Sequence, residues 1–366
     1  MTRLFEPLSV GGVRLPNRIA VSPMCTYSSP GEGRAVDFHM VHLGALAMGG
    51  AGLVVQEATG VLPEGRITPA CLGIWSDEHV PAFARIVNAI HAGGAAAGIQ
   101  LAHAGRKAST WPFGAGVGTM PADRGGWGPV GPSAVSFGPG HLEPHALEAS
   151  EIESVVRAFR EAARRAVQAG YDVVEVHAAH GYLLHQFLSP LANHRTDSYG
   201  GAFEARSRLV LEVVRAVREV VPTSKALLVR VSATDWVEGG WSLEETARLA
   251  KIFATEGVDL VDVSSGGMVP DAKVAIGPLY QVPFSERIRR ESGLPVGAVG
   301  MVTTPIQARE ILSNDQADLV FLGRALLQDP YWPVHAAQAL GEQGQWPPTH
   351  LRGAPAGAVA RRAFGA

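Results

Sequence analysis

Apolar residues along this chain come in short unbroken runs, separated by stretches where they recur every three or four positions. Runs rich in Val, Ile and Leu without strict alternation predict strands buried on both faces. Eight such runs occur, at 19–22, 52–57, 98–102, 172–177, 227–231, 260–263, 296–299 and 319–323. The segments between them predict helices over 38–48, 80–92, 152–169, 202–220, 243–255, 283–291, 305–312 and 331–340. In the third helix, Ile152, Val155, Val156 and Phe159 have the i, i+3, i+4, i+7 spacing of one buried face. Ser150 with Glu153 three residues on predicts a capping box at its start.

Eight β–α alternations point to an α/β chain folded as a (β/α)8 TIM barrel, with an open doubly wound sheet as the alternative. The strands are spread over the chain without a composition break, so residues 1–366 read as one barrel domain. Within the N-terminal segment 1–17, residues 8–15 predict a hairpin around Gly11-Gly12 that closes the barrel's N-terminal end. Residues 103–149, rich in Gly and Pro, are too long for a plain connection and predict an excursion capping the active face. The tail, 341–366, reads as a partly mobile extension.

Composition narrows the class. A net charge of −3 gives no electrostatic case for a nucleic-acid partner. No apolar run reaches the roughly 18 residues that a membrane span needs. The first residues lack the apolar core of a signal peptide. Only two cysteines occur, Cys25 and Cys71, which argues against a disulfide scaffold and for a reducing cytoplasm.

Barrel enzymes carry their chemistry at the C-terminal ends of the strands, and the chemically capable residues fall there. His177, His180 and Tyr182 end the fourth strand. Two imidazoles suit the polarisation of an oxygen near neutral pH, and a phenol beside them can donate a proton. Read as a metal pair, His177 and His180 lack a third ligand, and His39 and His42 repeat the same spacing on a predicted helix; no metal site is expected. Cys25 and Tyr27 follow the first strand, where a modulating role for the thiol is favoured over a covalent one. Gln100 is either a satisfied core amide or a reader of a heterocycle edge. Arg230, inside an apolar strand, is either salt-bridged or faces a ligand. Gly300 after strand seven and Gly323-Arg324 after strand eight occupy the usual phosphate-binding position, or else form a tight turn with a surface ion pair. Arg106 and Lys107 face either an anion or solvent.

Several segments together resemble the old yellow enzyme family of flavin-dependent ene-reductases, and most closely its bacterial thermophilic-like branch. They are Ser22-Pro23-Met24-Cys25-Thr26-Tyr27, Gly73-Ile74-Trp75-Ser76-Asp77-Glu78 and the run from Gln100 to Lys107. They continue with His177-Ala178-Ala179-His180-Gly181-Tyr182, Arg195-Thr196-Asp197-Ser198-Tyr199-Gly200-Gly201 and Gly323-Arg324. The resemblance implies FMN at the barrel mouth, lined by Ser22, Pro23, Met24, Cys25 and Ala58. Gln100 would read its pyrimidine edge, Arg230 would lie by N1 and O2, and Gly300, Gly323 and Arg324 would hold its phosphate. It implies hydride from NADPH (NADH being a second candidate) passed through the flavin to a small electron-poor alkene. His177 and His180 would bind the substrate oxygen, Tyr182 would donate the proton, Tyr27 would contact the substrate and Cys25 would tune the flavin. Leu351-Arg352-Gly353 resembles an Arg-Gly element that enters a neighbouring subunit's active site, although no aromatic residue follows it here. It implies a homodimer, or an assembly of dimers, with Arg352 binding substrate. Three alternatives stand beside this reading. A related reductase of dienoyl thioesters needs cysteines for an iron–sulfur cluster, a metal-dependent barrel hydrolase needs further ligands, and a flavin-binding protein without turnover would have no use for the histidines and Tyr182.

Overall fold

The computed structural model describes residues 3–365. Eight strands run parallel: β1 (Ile19–Val21), β2 (Leu53–Gly60), β3 (Ala96–Ala102), β4 (Val173–Ala178), β5 (Ala226–Ser232), β6 (Leu260–Ser264), β7 (Val296–Ala298) and β8 (Leu319–Leu322). They close in sequence order, with β8 pairing back onto β1. Helices α1 (Asp37–Met48), α2 (Val80–Ala92), α3 (Ala149–Ala169), α4 (Phe203–Val220), α5 (Leu243–Thr255), α6 (Val282–Ser292), α7 (Pro305–Ser313) and α8 (Trp332–Ala339) follow strands one to eight. The predicted barrel is the observed one, and the open sheet is excluded.

Alternate residues along each strand face opposite sides. On the lower strands the inward set (Ala20, Leu53, Val55, Val173, Leu228, Leu260, Leu319 and Phe321) forms an apolar plug. Phe321 fills the space where Gly297 has no side chain; a Cβ there would sit 2.3 Å from its ring. The outward set, including Val54, Ile99, Val174, Val176 and Val229, packs under the helices. The hairpin pairs Leu8–Val10 with Val13–Leu15, and its Val10, Val13 and Leu15 join the plug from below. Gly12 is required at the turn, because a Cβ would lie 2.5 Å from the Thr223 carbonyl oxygen. These layers close the N-terminal end and leave the C-terminal mouth for polar groups.

One expectation is corrected. Helix α3 starts at Ala149, not Ile152, and its cap is not Ser150. The Glu151 carboxylate instead accepts from the Glu148 backbone N–H at 2.7 Å, a box shifted two residues upstream. In the tail, residues pack against the ends of α1 and α2. Arg361 is buried and donates to the carbonyls of Ala47 (2.5 Å) and Gly93 (2.9 Å), while Phe364 stacks on His91 with centroids 5.3 Å apart. Two short helices, Leu183–Leu188 and Arg324–Gln328, were not predicted; each is too brief to show a period.

The excursion after β3 is irregular apart from short 3-10 turns and a two-residue ladder, Val130–Gly131 with His145–Ala146. The Arg195 motif fastens it, since Arg195 donates to the carbonyls of Pro132 (2.9 Å) and Leu147 (2.6 Å). At its root His103 is buried, and its Nδ1 accepts from the Gly105 N–H at 3.1 Å. Burial holds this imidazole at about 4, below its ordinary 6.5. The folded state therefore favours neutral His103. Its contribution is present above pH 6.5 and is lost as pH falls toward 4. We expect ~3 kcal/mol of acid-side stability loss from this group, by the conversion of about 1.4 kcal/mol per pKa unit. Urea unfolding across that interval should give a shallower pH slope for His103→Gln; an identical slope would contradict the assignment.

Candidate active site

His177 ends β4 facing inward, and its register partner on β5 is Arg230. Its ring meets that of His180 at 5.2 Å and that of Tyr182 at 5.1 Å, both edge to face. Among the described residues, His177 Nδ1 is buried without a hydrogen-bond partner. His180 Nε2 lies 2.7 Å from the Ser264 hydroxyl at the end of β6. Burial, with the nearby Arg230 cation, holds both imidazoles well below the usual histidine range. Both rings are therefore neutral at neutral pH and retain one N–H donor each. Burial raises the Tyr182 phenol well above its ordinary value, so it stays protonated.

The loop holding these groups is strained and braced. His180 has φ 58°, in the left-handed region that a residue with a Cβ rarely adopts. Its N–H donates to Ser232 Oγ (2.9 Å), and its carbonyl accepts from Lys107 Nζ (2.8 Å). Lys107 also donates to the Gly267 carbonyl (3.0 Å) and lies 5.0 Å from the Tyr182 ring centroid. Burial, followed by the neighbouring Arg106, lowers the Lys107 ammonium to about 8. Lys107 thus faces neither solvent alone nor a free anion; it ties the loops after β3, β4 and β6. Below the loop, His185 Nδ1 accepts from the Gly181 N–H (2.9 Å) and its Nε2 faces Asp235 Oδ1 at 3.0 Å. Asp235 also accepts from Ser189 (2.6 Å) and the Trp241 N–H (2.8 Å).

Beside these groups, inside the barrel, lies a polar cluster. Gln100 donates to Glu175 Oε1 at 2.7 Å. Arg230 donates to Ser22 Oγ (3.1 Å), and its Nε lies 3.2 Å from Asp262 Oδ2. Of the two alternatives weighed for Arg230, the ion pair is present. Burial pushes the Glu175 carboxyl up, helped by Asp262, and pushes Asp262 up against the pull of Arg230. Glu175 and Asp262 were not singled out from sequence, although each is a charge inside an apolar strand, the same signal that marked Arg230.

Cys25 and Tyr27 sit on the loop after β1, both half-buried. Tyr27 has φ 52°. Glu57 at the top of β2 fixes this loop by accepting from the Thr26 N–H (3.0 Å) and Thr26 Oγ1 (2.6 Å). Burial pushes the Cys25 thiol up, so it is not a thiolate nucleophile at neutral pH. Ser22 and Ala58 are buried beside this loop, and Pro23 and Met24 are half-buried.

At the ends of β6, β7 and β8 a cavity of about 410 Å³ is lined by Tyr280, Gln281, Gly300, Met301, Gly323 and Arg324, among others. Gly300 has φ 126°, and a Cβ there would lie 2.9 Å from Gln281 Nε2. At Gly323 the nearest atom to an added Cβ is Met24 Sδ, 3.5 Å away. A bare backbone and an exposed guanidinium beside the first helical turn suit a phosphate. The mouth of the barrel then offers an anion cradle, an amide and a guanidinium in its floor, and two neutral imidazoles with a phenol on its wall. These fit FMN, whose phosphate, pyrimidine edge and electron-accepting ring need those three kinds of group. Among the described residues, no group of three or more His, Cys, Asp or Glu converges. Arg352, exposed on the 3-10 turn Pro348–Gly353, is not gathered into this mouth.

Fold and site together define a flavin oxidoreductase built on a TIM barrel. Residues 3–343 match the NADH:flavin oxidoreductase / NADH oxidase family. The chain is 46% identical over 353 residues to an NADPH dehydrogenase of Geobacillus thermodenitrificans (strain NG80-2), covering 96% of this chain and 98% of that one. Its fold superposes on morphinone reductase in complex with tetrahydroNAD at a TM-score of 0.75 and 30% identity, covering 94% and 93% of the two chains. A 2-naphthoyl-CoA reductase superposes at a TM-score of 0.84 and 26% identity, but this chain spans only 52% of its length. The chain belongs to the old yellow enzyme family of FMN-dependent oxidoreductases. No helix among its described residues is long and apolar enough to cross a membrane.

Proposed function

We propose that this enzyme reduces the C=C bond of α,β-unsaturated carbonyl compounds, and also nitro compounds, using NADPH, with NADH as a second donor. The observation that carries the reading is the buried, unpartnered Nδ1 of His177 beside His180 and the protonated phenol of Tyr182. Bound FMN would accept hydride from the nicotinamide and pass it to the alkene β-carbon. His177 and His180 would donate hydrogen bonds to the substrate oxygen, where charge accumulates, and because both are neutral they stabilise it without a competing counter-ion. Tyr182 would release its phenolic proton to the α-carbon, and Lys107 holds the loop that aims it. Tyr27 would close the pocket over the same oxygen, and Cys25 would tune the cofactor as a neutral thiol. Ser22, Pro23, Met24 and Ala58 would line the ring, Gln100 would meet its pyrimidine edge and Arg230 its N1/O2 side. Gly300, Gly323 and Arg324 would hold the phosphate. Product analysis tests this: NADPH oxidation with cyclohexenone should yield cyclohexanone in equal amount. NADPH consumed with the enone recovered unchanged would overturn it.

We infer further that the enzyme works in the cytoplasm as a homodimer, or an assembly of dimers, with Arg352 completing a neighbour's substrate pocket. Its exposed position, outside its own chain's mouth, supports this. Arg352→Ala should raise the KM for the enone several-fold while retaining FMN; an unchanged KM would remove Arg352 from the pocket.

A further inference from the structure

We propose that Glu175 and Asp262, buried beside Arg230 inside the barrel, form a proton site that takes up a proton from solvent when the bound cofactor is reduced. The proposal rests on the FMN reading above and extends it to residues that reading leaves without a role.

The argument starts from charge. One guanidinium shares this layer with two carboxyls, and both acids are fully buried. With both ionised, the group carries a net negative charge in a fully buried position, which is costly; one shared proton makes it neutral. The atoms for a proton are present. Glu175 Oε2 and both oxygens of Asp262 are buried without a hydrogen-bond partner among the described residues. The groups facing this layer do not supply a second cation. Gln100 on β3 and Ser22 on β1 are uncharged, and His177, the register partner of Arg230, is held neutral. Glu57 on β2 is engaged by Thr26, while Val173, Leu228, Leu260 and Phe321 form the apolar layer beneath. Burial favours the protonated form of both acids.

Reduction changes the balance. A hydride carries two electrons and one proton from the nicotinamide, leaving it oxidised, and adds one negative charge to the cofactor. That transfer by itself takes nothing from solvent. Gln100 and Arg230, the groups assigned to the cofactor, are the same groups that hold Glu175 and Asp262. A new negative charge drawing on Arg230 weakens its hold on the carboxylates and raises their proton affinity. A solvent proton then forms an O–H bond on one of the free carboxylate oxygens, and the layer with its cofactor returns to neutrality. The two acids act as a pair, and titrate as one.

The test is an anaerobic titration of the FMN-loaded protein with NADPH in weak buffer, with a pH-indicator dye, across neutral and mildly alkaline pH. Hydride transfer alone gives no proton uptake. The proposal expects uptake approaching one proton per flavin at some pH in that range, cut at least by half in Glu175→Gln and in Asp262→Asn. No uptake at any pH, or uptake unchanged in both variants, overturns it. If neither variant holds FMN, reduced-minus-oxidised infrared difference spectra of the unaltered protein decide. A new protonated-carboxyl C=O band that shifts in D2O supports the site, and its absence overturns it. Failure of NADPH to bleach the flavin at all would instead overturn the FMN reading and the proposal with it.

Discussion

His177→Ala is expected to slow enone-driven reoxidation of the flavin by roughly 10²–10³-fold, the usual cost of losing one donor to a developing oxyanion. Reduction of the flavin by NADPH should change far less, because on the proposed reading the missing group would meet the substrate oxygen rather than the cofactor's anchors. The structure makes the separation clean. Among the described residues His177 Nδ1 has no partner to lose, so truncation removes a donor without orphaning another group. His180 keeps its own support from Ser232 and Ser264. Stopped-flow measurement of the two half-reactions checks this; equal slowing of both, or neither, would remove His177 from oxygen binding. The neutral state of both imidazoles adds that neither ring should give enone binding a pH dependence as pH rises above 6.5, since each is already neutral there and keeps its single N–H.

Arg230→Leu should be the most damaging single change to the fold. It strips the cation from between Glu175 and Asp262 and leaves two carboxyls competing for protons in an apolar barrel. Removing one partner of a buried ion pair typically costs about 3–5 kcal/mol. We expect a loss of that size in urea unfolding, together with loss of FMN. The combination Arg230→Met, Glu175→Gln, Asp262→Asn should recover much of the stability without recovering the flavin, because it removes the charges as a set. A single Arg230→Leu variant as stable as the unaltered chain would contradict the charge balance on which the barrel's polar layer rests.

The strands were legible because burial on both faces leaves unbroken Val, Ile and Leu runs, and the closed order follows from eight of them joined by helices. The chemistry at the mouth was legible for a related reason: a His, Arg or Gln at the end of an apolar strand has little else to do. Glu175 and Asp262 obey that rule too, but a single strand does not reveal which neighbour faces it. Only the register, with Arg230 opposite Asp262 and Gln100 opposite Glu175, shows which neighbours these acids face. Glu57 and Asp235 escaped notice, and Lys107 was noted without its partners, because they act through loop amides, a histidine far away in sequence and backbone carbonyls. The α3 cap was displaced because Glu151 reached its partner amide before Ser150 was needed. The anchoring of the tail by Arg361 depends on carbonyls of α1 and α2 ends that no local pattern announces.

The central claim is that FMN at this mouth carries electrons from NADPH to an enone. An anaerobic visible spectrum of the purified protein tests it, with NADPH added first and cyclohexenone second. The account predicts an oxidised-flavin spectrum that bleaches with NADPH and returns with the enone. A colourless protein that cannot be reconstituted with FMN, or a bleached flavin that the enone does not restore, would contradict it.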